Sequence, residues 1–340
     1  MRAFLVAAAL CAATAVHADP VADFYRGKTV TLMIGGGPGG AYDIYARLFA
    51  RHWPRHMPGN PVVVPKNLST AGGLAVANMM ANGVEKDGLT VAAHSNGISL
   101  DPLLGNPGAR FDARKFGWIG SIGKLQNVCV TWRSSPVKTI EQARVSEVVL
   151  AGHAPTMNTV IFPRILNSLL GTKFRVVGGY EPGQGHAIAM ENGEVDGVCG
   201  LAWATIKASH PEWIAERKIN VLLQMAFDKL PDLPDVPNAP DLLTSPDDRR
   251  MLDLVLTRQE IGRGIAGPPG LPPERLAALR ASFDATMKDP EFLADAAKAQ
   301  MDIEPLSGEA IDRLLASAYA TPGDIVKRAA AFVEAGEGAK

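Results

Sequence analysis

Residues 32–47 read LMIGGGPGGAYDIYAR: an apolar run, five glycines interrupted by one proline, then an amphipathic run. The apolar residues at 29–34 predict a strand. Ile44, Tyr45, Leu48 and Phe49 recur at helical spacing and predict a helix over 41–51. Strand, glycine turn and helix together open an α/β unit. Gly35, Gly37 and Gly40 formally satisfy G-x-G-x-x-G, a turn that brings backbone close to a pyrophosphate. A dinucleotide site also needs an acidic residue about 20 positions on, for the ribose hydroxyls. Here the next strand, PVVVPKN at 61–67, ends in Lys66 and Asn67 instead, and Pro38 removes one N–H from the turn.

What remains is anion recognition without a nucleotide. A turn of small residues exposes backbone N–H groups, and the helix beginning near Ala41 directs its positive end toward them. Asp43 would repel an anion held there, so its first reading is a cap that satisfies donors of the turn. The alternative is that it holds a ligand hydroxyl or an ordered water. Three further stretches lead small polar residues into a helix: PKNLSTAGG at 65–73, AGHAPTMNT at 151–159 and YEPGQGHA at 180–187. In open α/β sheets such loops gather beyond the carboxyl ends of the strands, where ligands bind.

The same βα rhythm continues along the chain. Strands are predicted at 61–64, 89–93, 128–132, 147–151, 174–178, 195–199 and 221–225, mostly separated by helical segments, which implies a mostly parallel sheet. Prolines 231, 234, 237 and 240 recur in PDLPDVPNAP, which excludes a continuous helix or a central strand there. From Pro273 onward the text reads as successive helices at 274–288, 290–299, 308–318 and 324–334.

At 340 residues the chain exceeds one typical domain. A formal net charge of −1 without a Lys/Arg-rich block gives no footprint for nucleic acid. Arg2, an alanine-rich apolar run over 3–16 and small residues around Ala18 have the pattern of a cleaved secretory signal, which predicts an exported protein. Cleavage there leaves Cys129 and Cys199, in two strand-like runs, as either a disulfide or two buried thiols. His52 and His56 are separated by Pro54, which breaks a shared helical face, and no H-E-x-x-H, C-x-x-C or G-x-S-x-G is present. No motif supports an enzyme, a metal site or a cofactor.

The opening DFYRGKTVTLMIGGGPGGAYDIYARLFARHW resembles the tripartite tricarboxylate transporter receptors, the Bug or TctC-type solute-binding proteins. Their P-x-G-G-x-x-D turn and L-A-R helix look like Pro38 to Asp43 and Tyr45-Ala46-Arg47. Their N-x-P-G-A-G-G segment looks like residues 67–73, with Ser69 and Thr70 in place of Pro and Gly. VEKDGLTVAAHS, GGYEPGQGHAIAMENGEVDGV and GPPGLPPERLAALRASFDATMKDPEF resemble later family segments in the same order. The resemblance implies a type II periplasmic-binding-protein fold. After a signal peptide at 1–18, residues 19–122 and 228–340 would form one lobe and 123–227 the other, with the C-terminal helices packed on the first. It implies a monomeric receptor that captures a di- or tricarboxylate or an aromatic acid for large and small membrane subunits. The ligand-binding residues it implies are Gly37, Pro38, Gly39, Gly40, Tyr42, Asp43, Ala71, Gly72 and Asn96 on the first lobe. On the second they are His153, Thr156, Asn158, Tyr180, Glu181, Gln184 and Trp203. This chain departs from the family pattern at GHAPTMN and at Glu181, where Lys is frequent. An exported enzyme acting on a small acid, and a sensor for a membrane kinase, are the alternatives.

Overall fold

A computed structural model describes residues 19–68, 70–153, 157–180 and 184–334. Helix α1 (Pro20–Tyr25) is capped by the Asp19 carboxylate, which accepts from the Val21 and Ala22 N–H groups. Strand β1 (Thr29–Ile34) buries Val30, Leu32 and Ile34, as its alternation requires. After the glycine turn, α2 (Ala41–His52) buries Tyr45, Ala46, Leu48 and Phe49. Ile44, which the spacing put on that stripe, is 48% exposed, because the seam runs along the 45–48–49–52 side of the helix.

The chain continues through β2 (Val62–Asn67), α3 (Leu74–Asn82), β3 (Thr90–Ala93) and β4 (Gly117–Ser121). It then crosses to a second sheet with β5 (Asn127–Trp132), α4 (Ile140–Val145), β6 (Val148–Ala151), α5 (Asn158–Leu170), β7 (Phe174–Val177), α6 (Gln184–Glu191), β8 (Gly197–Ala202), α7 (Trp203–Ser209), α8 (Pro211–Ala215) and β9 (Ile219–Met225). It returns through α9 (Pro246–Ile261) to β10 (Gly264–Gly267), α10 (Pro273–Met287), α11 (Pro290–Lys298), β11 (Leu306–Ser307), α12 (Gly308–Tyr319) and α13 (Gly323–Glu334).

The first sheet has the order β11-β4-β10-β3-β1-β2 and the second β7-β6-β8-β5-β9. Rather than mostly parallel, both are mixed. β1 runs parallel to β2 and β3, and β6 to β7 and β8. β5 is antiparallel to β8 and β9, and β10 is antiparallel to β3 and β4. β5 and β10 are the strands reached by crossing from the other sheet, so no helical return on the same sheet sets their direction. Pro65 sits in β2, an edge strand, where a missing N–H costs no ladder bond.

Strands β4, β10 and β11 have no counterpart in the sequence pattern. GWIGS and GIAG are glycine-rich, yet every residue of both is buried. The reason is close packing: a methyl group on Gly120 would lie 2.3 Å from the Phe283 ring of α10. α10 and α12 pack on β4, and α11 packs on α2. The last helix departs from that pattern, since α13 packs along α9 and touches α5. The proline run is a loop as predicted, wrapped around the fully buried Gln224. That side chain donates to the Leu233 and Val236 carbonyls and accepts from the Leu230 N–H.

One bond staples the second sheet, and one helix end ties the two halves together. In the β5–β8 register Cys129 faces Cys199, and the two form a disulfide with Cα atoms 3.8 Å apart. The C-terminal turn of α9 ties the crossing segments together: Gln259 Nε2 donates to the Met225 carbonyl, and its Oε1 accepts the Asn127 N–H at 3.2 Å. Arg263, just beyond, donates to the Lys124 carbonyl and lies over the Tyr45 ring, 3.8 Å from its centroid.

Candidate functional site

A cleft of about 450 Å³ opens between the two sheets, at the carboxyl ends of β1, β3, β6 and β8. Its first wall is built from the turn after β1 (Gly35, Gly36, Gly37), Tyr42, Leu74 and the segment after β3 (Ser95, Asn96, Gly97, Asp101, Asn106). Its second wall carries His153 after β6, Met157, Asn158 and Thr159 at the start of α5, Gly200, Leu201 and Ala202 at the end of β8, and Thr205 of α7. Leu125 of the crossing segment and Arg258 of α9 complete it.

Glycines allow the walls to form. Gly35 donates its N–H to the Ala93 carbonyl at 3.0 Å, which draws the first turn against the β3 loop. Gly200 has φ +91°, and a methyl group there would lie 2.7 Å from Asn158 backbone atoms, so only glycine brings β8 this close to the first turn of α5. Thr159 Oγ1 accepts the His153 N–H at 3.0 Å and fixes the loop before that helix.

Several predicted residues meet here and others do not. Gly37, Tyr42, Asn96, His153 and Asn158 line the cleft. Tyr42 is held by its hydroxyl, which accepts the Asn96 N–H at 3.0 Å, and burial pushes its pKa up. Pro38, Gly39 and Gly40 form the part of the turn behind the wall, and Ala71 and Gly72 belong to the short helical turn Thr70–Gly73, next to the lining residue Leu74. Tyr180 is also off the cleft, its N–H bonded to the Gly152 carbonyl at 3.1 Å. Trp203 is buried in the second-sheet core, its indole N–H donating to Asp232 at 3.0 Å. Gln184 opens α6. Thr156 and Glu181 lie outside the described residues.

Asp43 braces the glycine turn rather than capping the helix, since the N-cap of α2, Gly40, receives no side-chain bond. Asp43 is 4% exposed and absent from the cleft lining. Its carboxylate accepts the Gly39 N–H at 2.9 Å, the Asn67 amide at 2.8 Å and the Arg47 guanidinium at 2.7 Å. Burial pushes its pKa up, but these three donors outweigh burial and hold it below the usual carboxylate range. The residue therefore fixes the shape of the glycine turn from behind.

The cleft's polar chemistry lies largely in residues the motifs did not single out. Among the described lining residues Arg258 is the one arginine or lysine and Asp101 the one acid. Arg258 is 8% exposed, and its buried Nε has no hydrogen-bond partner among the described residues. Asn96 Nδ2 and Asn158 Oδ1, on opposite walls, are likewise buried and unpartnered. Buried polar atoms are satisfied in the great majority of cases, so three orphans around one cleft mark a place that something polar fills. Asp101 closes the stretch GISLD, where the sequence shows an acid but not its destination. Arg258, in VLTRQEIG, offers no local signal, because the fold of α9 across both halves is what brings it here.

Beside the cleft, His153 Nε2 lies 3.4 Å from His186 Nδ1. Burial, then the neighbouring His153 and His210, bring the His186 pKa down to about 4. Among the described residues no group of three or more His, Cys, Asp or Glu is placed to hold a metal ion. His52 and His56 instead face separate carboxylates, Asp295 at 3.1 Å and Asp289 at 2.6 Å.

No family model matches the sequence, and no curated protein matches it either. Solved structures match across nearly the whole chain. A TctC solute-binding protein from Polaromonas superposes with a TM-score of 0.68 at 19% identity, covering 89% of this chain and 99% of that one. The periplasmic binding protein BugD gives 0.65 at 19% identity, over 90% and 98%. An R. palustris protein solved with adipate gives 0.65 at 19% identity, over 89% and 97%. The fold of this chain is thus the two-sheet α/β fold of periplasmic solute-binding proteins.

Proposed function

We propose that this chain is a periplasmic receptor of the tripartite tricarboxylate transporter type, which captures a small organic carboxylate between its lobes and passes it to membrane subunits. The observation that carries this reading is a cleft lined by Asn96 and Arg258, each with a buried donor, Nδ2 and Nε, that has no partner among the described residues. A carboxylate offers acceptors to both, and a charge-assisted bond from a guanidinium is about twice as strong as a neutral one. The acceptor Asn158 Oδ1 on the opposite wall supports closure of the second lobe onto a hydroxyl, amide or ammonium of the same ligand. The shared fold with TctC and BugD, and the adipate held by the R. palustris protein, support the carboxylate class.

Binding rather than turnover is the role proposed, which the shared fold with solute-binding proteins supports. The secretory pattern at residues 1–18 supports export, and N-terminal sequencing of the mature protein checks cleavage after Ala18. The decisive experiment is a thermal-shift and calorimetric panel of mono-, di- and tricarboxylates and aromatic acids. A ligand at a hundredfold excess over its Kd stabilises the fold by about 2.7 kcal/mol. Recovery of unchanged ligand from the complex is expected. Hits confined to sugars or to cations, or conversion of the bound acid, would overturn the reading.

A further inference from the structure

Resting on the receptor reading, the geometry points to a narrower ligand class. We propose that Arg258 and Asp101 read the two halves of one ligand group: a carboxylate, and a hydrogen-bond donor on the adjacent carbon. The donor is an ammonium or a hydroxyl. Arg258 takes the carboxylate and Asp101 takes the donor.

Gly97 lies on the cleft wall between them. A methyl group built on Gly97 would sit 3.1 Å from Arg258 Nη2 and 3.3 Å from both Asp101 carboxylate oxygens. The glycine therefore leaves a shallow slot, narrower than a methyl group, at whose mouth a ligand meets a guanidinium on one side and a carboxylate on the other. The two groups are near enough to feel each other, yet no ion pair joins them among the described residues, and Arg258 Nε has no partner. A purely structural pair would close onto itself, since a buried guanidinium left unpaired is costly. These two are held apart instead. Asp101 is anchored by its own backbone, its N–H bonded to the Gly97 carbonyl and its carbonyl accepting the Asn106 N–H. Arg258 is held by α9, whose next residue, Gln259, is tied to both crossing segments.

A ligand that completes the slot must present an acceptor to one side and a donor to the other. A second carboxylate placed against Asp101 would set two like charges together in a buried site, whereas an ammonium or hydroxyl would be matched. Burial pushes the Asp101 pKa up, opposed by Arg258 and the Asn106 side chain, so a cationic donor bound there favours the ionised carboxylate. The receptor reading by itself does not require any of this, since a plain acid would satisfy Arg258 and Asn96.

The test compares acids of one skeleton: succinate, malate and aspartate, and the shorter set propionate, lactate and alanine, each titrated by calorimetry. The wild-type protein is expected to prefer the hydroxy or amino member of a set by at least ~10-fold over the plain acid, and the preferred member tells which donor Asp101 meets. Asp101→Asn should shrink that preference, while Arg258→Gln should weaken every member by about 100-fold or more. Because Arg258 is buried, Gly97→Ala serves as a second probe. It fills the slot while keeping both charges, and thermal unfolding of each variant confirms its fold. Equal affinity for plain and substituted acids, or binding untouched by Gly97→Ala and Arg258→Gln, would overturn the pair assignment and leave the receptor reading standing. Failure of the wild type to bind any carboxylate of the broad panel would remove the receptor reading and this inference with it.

Discussion

Asp43 and His94 show two opposite fates of a buried polar side chain. Asp43 is fully satisfied by Gly39, Asn67 and Arg47, and it shapes the glycine turn without reaching the cleft. Asp43→Asn removes the charge from three hydrogen bonds and is expected to cost about 1–3 kcal/mol in urea unfolding. Its effect on ligand affinity should be no larger than that of the loosened turn, when stability and affinity are measured separately. His94 is 1% exposed, packed between Phe116 and Trp118, and neither ring nitrogen has a partner. Burial brings its pKa down to about 4, so it is neutral at pH 7. His94→Leu removes two unsatisfied polar atoms from an apolar core and is expected to stabilise the fold by about 1–2 kcal/mol at pH 7. A denaturation midpoint that falls instead would show that the imidazole is bonded in solution.

Among the elements, β5 carries the most weight in the second half. It lies between β8 and β9, runs antiparallel to both, and is bonded to β8 through Cys129 and Cys199. The bond closes a loop of sequence separation 70 that contains most of the second sheet. Cys129→Ala with Cys199→Ala is expected to lower stability by about 2–4 kcal/mol. Equilibrium unfolding of wild type with and without reductant should reproduce the difference, with no further loss when the double variant is reduced. β4 and β10 were illegible in the sequence for a related reason. Their glycines serve the neighbouring Phe283 and Trp118 rings, and strand propensity reads only the strand's own side chains.

At the scale of the whole molecule, buried histidines set the response to acid. His94 lies in the first half and His186 in the second, each with a folded pKa of about 4, below the ordinary value of 6.5. A depressed histidine pKa means that the unfolded chain binds the proton first. Stability is therefore full above about pH 6.5 and is lost as pH falls from there toward 4. Each group is expected to remove on the order of 1–2 kcal/mol at pH 5, read as a lower urea midpoint than at pH 7.5. His94→Leu should flatten part of that dependence, and an unchanged slope would count against the buried neutral form. At this scale the two crossing segments are tied together by Gln259 at the C-terminal turn of α9 and by Arg263 just beyond it.

The sequence by itself determined the α/β rhythm, the glycine turn with its strand and helix, and the loops that face the cleft. Those depend on local periodicity and on glycine and proline, which act within a few residues. The family resemblance, not local pattern, pointed to Gly37, Tyr42, Asn96, His153 and Asn158, which lie on the cleft wall. Only the tertiary structure decided the mixed direction of the sheets, the position of α13, and the fate of Trp203 and Asp43. It alone brought Arg258 to Asp101, 157 positions earlier in the numbering. A charged residue on a helix carries no local mark of whether it meets solvent or a cleft. That is settled by which surfaces α9 spans once both sheets are packed against it.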